Sequence, residues 1–167
     1  MLRLLLLTLT VALLFTQQAS AELPTPKGNI LLTVIGQIRH TNQFERAEFD
    51  QQMLESLEQH EVTTQNPWFP EANTYRGPLG RALIHAVGAE QATTMRMVSI
   101  NGFIADIPVS DFMDYDTILA LEKNGKALRI RDRGPLFTIY PFDQHPQLKT
   151  EMHYNRSVWQ VKTIEFQ

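Results

Sequence analysis

No cysteine occurs among the 167 residues, and that absence removes several chemistries at once. Disulfides, thiolate metal ligands and cysteine nucleophiles are all excluded, so stability must come from packing. The histidines, His40, His60, His85, His145 and His153, form no HExxH and no close HxH pair, which leaves a zinc site weakly supported. Ser56, Ser99, Ser110 and Ser157 stand outside any GxSxG elbow, and no glycine-rich phosphate loop is present. Asp111, Asp114 and Asp116 lack the glycine and distal glutamate of a calcium loop. Basic residues are not in excess either. Lys+Arg number 15 against 18 Asp+Glu, with no basic tail, which disfavours nucleic acid as a partner.

Long apolar runs are also missing, with one short exception at the start. Arg3 precedes the apolar run Leu4 to Phe15, and Ala19-Ser20-Ala21 follows as a small-x-small pattern. The run falls short of the roughly 20 residues that span a bilayer. It reads as a signal peptide, residues 1–21, cleaved after Ala21, with an uncleaved anchor as the alternative. Only one arginine precedes the run, so the signal is of the Sec rather than the twin-arginine type. The expectation is a periplasmic protein whose residues 22–167 form a single domain.

The middle of the chain carries the densest signals. Apolar runs at Thr117 to Leu121 and Leu136 to Tyr140 read as buried strands. Between them lie Asn124-Gly125, a hairpin dipeptide, and the cationic stretch Arg129, Arg131, Asp132, Arg133, Gly134. Asn29 to Ile38 predicts a first strand, with Gly36 marking a bend or a close backbone approach. The spacing of Phe49, Met53, Leu54 and Leu57 predicts an amphipathic helix over 44–57. Glu61 to Phe69 predicts a strand that leaves its sheet at Pro67-Trp68-Phe69-Pro70. Gly77-Pro78 starts a helix over 79–87, closed by Gly88. Strands over 93–100 and 103–107 flank Asn101-Gly102, and a short turn or helix follows near Ser110. Residues 143–155 read as a loop or frayed helix, and Arg156 to Phe166 as a closing strand. About seven strands and two or three short helices, without regular βαβ alternation, define an α+β class with mixed, mostly antiparallel sheets.

Binding-site candidates emerge at the turns. Trp68 and Trp159 offer aromatic faces, while Arg76, Arg131, Arg133 and Arg156 punctuate turns that such a sheet brings toward one end. Planar heterocycles are held by an aromatic face, guanidinium donors and a carboxylate or amide that addresses amino groups. Each residue also has an ordinary structural reading. Trp159 between Val158 and Val161 suits a core, Trp68 beside prolines suits a core cap, and Arg156 suits a surface ion pair.

Taken together, NGKALRIRDRGPLFTIYP followed by RSVWQVKTI, and EVTTQNPW followed by YRGPLGRAL, resemble the sulfite-oxidase-like molybdopterin-binding domains from about Leu31 onward. The resemblance implies that family's mixed α+β fold with a pterin in a cleft. It departs from the family where chemistry is decided. The cysteine that ligates molybdenum there would fall within Thr63 to Asn66, where none exists. The glycine-preceding histidine becomes Arg133, a following arginine becomes Phe137, and a lysine becomes Trp159, while Asp132 and Arg156 remain. Within the superfamily the pattern TTQNPW, RGPL, IPVSD, DRGPLFTIYP and RSVWQ looks most like the small periplasmic pterin-binding proteins of the PruR type. That likeness implies a reduced, unphosphorylated pterin as ligand, no molybdenum, and a relay to the periplasmic domain of an inner-membrane cyclic-di-GMP enzyme. It assigns pterin-binding roles to Asn66, Trp68, Arg76, Arg131, Asp132, Arg133, Arg156, Ser157 and Trp159. Two other readings stay open: a molybdenum-dependent oxidoreductase of the sulfite oxidase class, and a ligand-free interaction module.

Overall fold

The structure, a computed structural model, describes residues 23–167; the expected signal peptide lies outside the described residues. In chain order the strands and helices are β1 (Ile30–Gly36), β2 (Ala47–Asp50), α1 (Gln51–Ser56), β3 (Gln59–Asn66), β4 (Phe69–Pro78), α2 (Gly80–Val87), β5 (Thr94–Ser99) and β6 (Ile104–Pro108). They continue with α3 (Ser110–Met113), β7 (Ile118–Ala120), β8 (Glu122–Lys123), β9 (Lys126–Ala127), β10 (Phe137–Ile139), α4 (Glu151–Arg156) and β11 (Val161–Phe166).

A five-stranded sheet runs in the order β2-β1-β11-β5-β6, a four-stranded sheet in the order β3-β4-β8-β9, and β10 pairs with β7. Among the described residues only β1 with β11 is parallel, and the other strand pairs are antiparallel. The larger sheet packs Leu32, Val34, Met95, Met97, Ile164 and Phe166 against Leu83, Ile84 and Val87 of α2. A second core gathers Val62, Tyr75, Leu79, Ile118, Ala120, Phe137 and Ile139 between the two smaller sheets. Gly77 makes that second core possible. A Cβ at this position would collide with the Leu119 carbonyl and lie 2.8 Å from the Ala120 Cα, so only glycine lets β4 approach β7 so closely.

The hairpin signals are realised. Asn124 and Gly125 have φ of 51° and 71° and join β8 to β9 as the two-residue turn their sequence predicts. Gly36 adopts φ 90° with the Phe166 carbonyl pressed against it, the close backbone approach expected of it. The buried runs on either side of the arginine stretch pair as β7 and β10.

Three elements differ from expectation. The helix expected over 44–57 is confined to α1, and β2 occupies the residues before it. Asp50 decides the boundary: its carboxylate accepts the N–H of Met53 at 2.9 Å, and the N–H groups of Lys27 and Gly28 at 2.7 and 2.8 Å. It therefore caps the helix while tying the strand end to the lead-in segment. Phe49, read on a helix face, is buried from the strand, and Phe44 is exposed. Beyond Trp68 the chain does not leave its sheet but turns and returns as β4. Pro70 lies opposite the register irregularity between Thr64 and Asn66, where no ladder hydrogen bond is asked of it. Finally, the closing strand is shorter than expected. Arg156 ends α4, and Gln160 at φ 55° breaks the alternation before β11 begins. Among the described residues β2, β4, β8 and β9 raise the strand count above the sequence estimate, and α4 forms within the segment read as a loop or frayed helix, while the α+β class stands.

Candidate functional site

Two loops meet over the second core. One is the β3–β4 turn that carries Trp68. The other is the segment between α4 and β11 that carries Trp159, fastened by an isolated bridge to Phe137. The rings pack edge to face. Trp68 and Trp159 have centroids 5.7 Å apart at 85°, and Phe137 lies 5.6 Å from Trp68 and 6.3 Å from Trp159. Asn66 locks the first loop from behind, since its amide donates to the Tyr75 hydroxyl at 3.0 Å and its carbonyl accepts the N–H of Trp68 at 3.2 Å. Tyr75 is wholly buried, and that burial pushes its hydroxyl pKa up.

Arg133 reaches this cluster from a third segment. A short 3₁₀ turn, Ile130–Asp132, ends with Arg133 in the left-handed region at φ 75°. The turn is held against the Trp159 loop: the Gln160 N–H donates to the Arg133 carbonyl at 3.0 Å, and the Gln160 side chain donates to the Ile130 carbonyl at 2.8 Å. The Arg133 guanidinium sits 4.2 Å from the Trp159 ring centroid, 5.5 Å from Phe69 and 5.9 Å from Trp68. Among the described residues no carboxylate lies within ion-pair distance of it. Its burial lowers its pKa from the ordinary arginine value, yet a guanidinium stays charged. The arrangement therefore holds a half-buried cation whose hydrogen-bond donors face aromatic surface instead of an acid. Such a cation is stabilised by the rings, and its donors, open to solvent, have no protein acceptor among the described residues.

Trp159 divides two cavities. On one side is an apolar cavity of about 210 Å³ lined by Trp68, Phe103, Tyr154, Ser157 and Val158. On the other is an open cavity of about 580 Å³ lined by Phe69, Lys123, Arg131, Asp132, Arg133 and Gln160. Lys123 covers the Phe69 ring, with its ammonium 3.7 Å from the centroid. Asp132 accepts from Arg129 Nε at 2.7 Å, and that bond, with the charges of Arg129, Arg131 and Lys123, holds its carboxyl below the usual range.

The structure thus gathers Trp68, Arg133 and Trp159, supports them with Asn66, and sets Arg131 and Asp132 on the rim of the larger cavity. Ser157 lines the smaller one, but its hydroxyl is engaged by the His153 carbonyl at 3.0 Å. Arg156 and Arg76 are placed elsewhere. The Arg156 guanidinium donates to Asp111 at 3.0 Å, where the hydroxyl of buried Tyr140 also donates at 2.8 Å. Arg76 lies 3.7 Å from Glu122, its register partner on β8. Sequence reasoning did not pick out Phe69, Lys123, Tyr154 and Gln160. Phe69 stood in view within the Pro67–Pro70 stretch, and the other three carry no local signal.

The residues do not suit a thiolate-bound molybdenum. At the positions where the ligand would fall, Thr63 bonds to the Thr74 hydroxyl at 2.8 Å, and Thr64 accepts the N–H of Asp143 at 3.2 Å. Asn66 is committed to Tyr75. These are neutral hydroxyl and amide groups without the soft donor that a thiolate supplies. Among the described residues, no three His, Asp or Glu side chains gather where they could hold a metal ion.

Residues 31–142 match the oxidoreductase molybdopterin binding domain family, and the chain belongs to that family. Among solved structures it is similar to the sulfane dehydrogenase SoxCD from Paracoccus pantotrophus, at 17% identity and a TM-score of 0.56. The match covers 81% of this chain but only 37% of that one, so the likeness is to one part of a longer protein and shows the fold. The sulfite-oxidase-like molybdopterin-binding fold expected from the sequence is the fold observed. Comparison with curated protein sequences gave no match.

Proposed function

We propose that this protein binds a reduced, unphosphorylated pterin without molybdenum, and that in the periplasm it relays pterin status to the periplasmic domain of an inner-membrane cyclic-di-GMP enzyme. The observation that carries the ligand part is Arg133, a half-buried guanidinium on the face of Trp159 with no acid partner among the described residues. A pterin ring supplies what this group lacks. Its carbonyl oxygen and an unprotonated ring nitrogen accept guanidinium hydrogen bonds, its bicycle offers a face to Trp159 or Phe69, and the Asp132 carboxylate on the rim suits the amino-pyrimidine edge. The donor chemistry supports the metal-free part, since the ligand position holds threonine and asparagine instead of a thiolate. The relay rests on the sequence resemblance to periplasmic pterin-binding proteins.

Protein purified from periplasm should release a pterin on denaturation, identified by absorbance, fluorescence and mass, without stoichiometric molybdenum in the same sample. Trp159→Ala and Arg133→Ala should each weaken reduced-pterin binding by about 1 to 3 kcal/mol, the scale of a lost aromatic or charged anchor. Unchanged affinity in both folded variants overturns the site assignment. Molybdenum with a bound pterin in the released sample overturns the metal-free reading.

A further inference from the structure

A second groove of about 610 Å³ adjoins the larger cavity: Lys123 and Asp132 line both, and Asn124, Lys126, Leu128 and Arg129 complete it. Along these two adjoining grooves stand Lys123, Lys126, Arg129, Arg131 and Arg133, against the carboxylate of Asp132. The concentration is local, because the chain as a whole has a formal net charge of −3.

Two features concentrate these cations. Lys123 and Lys126 are direct register partners on β8 and β9, so their side chains emerge side by side on one face. Like charges placed directly opposite on a hairpin repel. Their turn needs only Asn124 and Gly125 to form, so the pairing of two lysines across it serves no folding requirement. The 3₁₀ turn then adds Arg129 and Arg131, which converge on the one acid: Arg129 Nε lies 2.7 Å and Arg131 Nε 3.9 Å from Asp132 Oδ2. Asp132 is already shared between two guanidiniums, and among the described residues neither lysine nor Arg133 has a carboxylate within ion-pair distance.

We infer that the ligand of this cleft carries an anionic arm, which leaves the ring at Arg133 and Trp159 and lies along Lys123 and Lys126. This rests on the pterin reading and names the ligand class within it, a pterin whose side chain ends in acidic groups. Carboxylates of a glutamyl arm and a phosphate on a short arm share the required charge. The glutamyl arm agrees with an unphosphorylated ligand. Its length also suits a ligand that passes Lys123 and Asp132 from the cavity of about 580 Å³ to the adjoining groove of about 610 Å³.

Quenching of the two tryptophans, followed under anoxic conditions, gives affinities for three probes: 6-methyltetrahydropterin, which has no charged arm, tetrahydrofolate, and a reduced pterin monophosphate. The expected result is that tetrahydrofolate binds about tenfold or more tightly than the methylpterin at low salt. That is the scale for a dianion meeting two or three exposed cations. The advantage should shrink in 0.5 M salt, as screening requires (about 4–5 Å Debye length). It should also fall several-fold in Lys126→Glu, with methylpterin binding unchanged. A gain confined to the monophosphate keeps the anionic arm and identifies phosphate as its source. Equal affinity for charged and uncharged probes overturns this inference while leaving the pterin reading in place, because the methylpterin has still bound. A tetrahydrofolate gain that survives both high salt and Lys126→Glu comes from the aryl ring and overturns it as well. Failure of all three probes to bind removes the pterin reading itself.

Discussion

Asp111→Ala is the perturbation whose size the structure sets most directly. The Asp111 carboxylate accepts from Arg156 at 3.0 Å and from the Tyr140 hydroxyl at 2.8 Å. Its side chain is 10% exposed and that of Arg156 19%, so water replaces neither partner freely. Removing one member of such a pair strands the other charge, at a cost of about 3 to 5 kcal/mol when burial is complete. The residual exposure of Arg156 reduces this, while the Tyr140 hydroxyl, with no accessible surface, adds about 1 to 3 kcal/mol for a lost partner. A net loss of about 3 kcal/mol follows, or a fall in Tm of roughly 6–12 °C for a domain of this size. Urea unfolding and calorimetry measure it. Asp111→Asn, which keeps an acceptor for Tyr140, should lose about half as much. In a double-mutant cycle, Arg156→Ala should cost little once Asp111 is already alanine, because its partner is gone. A loss below about 1 kcal/mol for Asp111→Ala, with additive single effects, refutes the account of Arg156 as an anchor. It would restore Arg156 as a candidate ligand donor. If the anchor account holds, Arg156→Ala weakens pterin binding only together with stability, since α4 ends at Arg156 and the Trp159 loop begins there.

Other expectations follow from single positions. Gly77→Ala drives a Cβ into the Leu119 carbonyl, so it should destabilise by about 2 kcal/mol or more, read as a urea midpoint shift; a neutral result would mean that β4 and β7 move apart freely. The Asp50 carboxyl is held below its ordinary value of 3.8 by the N–H groups of Met53, Gly28 and Lys27. Its stabilisation is therefore complete above that value and lost as pH falls through the lower folded pKa. Asp50→Asn should flatten the acid limb of a stability–pH curve. Burial holds the His153 imidazole below its ordinary 6.5, so the unfolded chain takes up the proton first, and stability falls as pH drops from 6.5 toward the folded value. His153→Gln should remove that slope, and an unchanged slope would assign it to another group.

Much of this fold is legible in the sequence because its signals are local. Asn124-Gly125 needs φ above zero at two adjacent residues, and that requirement is met or failed within the turn itself. The apolar stretches of β1, β7 and β10 likewise report burial within a few residues. The missing cysteine also settles, without coordinates, that these residues offer no cysteine thiolate to a metal. Where a local signal served two structures, the sequence could not choose. Phe49, Met53 and Leu54 fit one helix face as well as a strand followed by a helix, and the carboxylate of Asp50, bonded to Lys27 and Gly28, made the choice. Arg133 and Arg156 were indistinguishable as turn arginines. Only tertiary structure gave Arg156 the Asp111 carboxylate and left Arg133 on Trp159, because a charge takes its role from the group packed against it, and that group comes from a distant part of the chain.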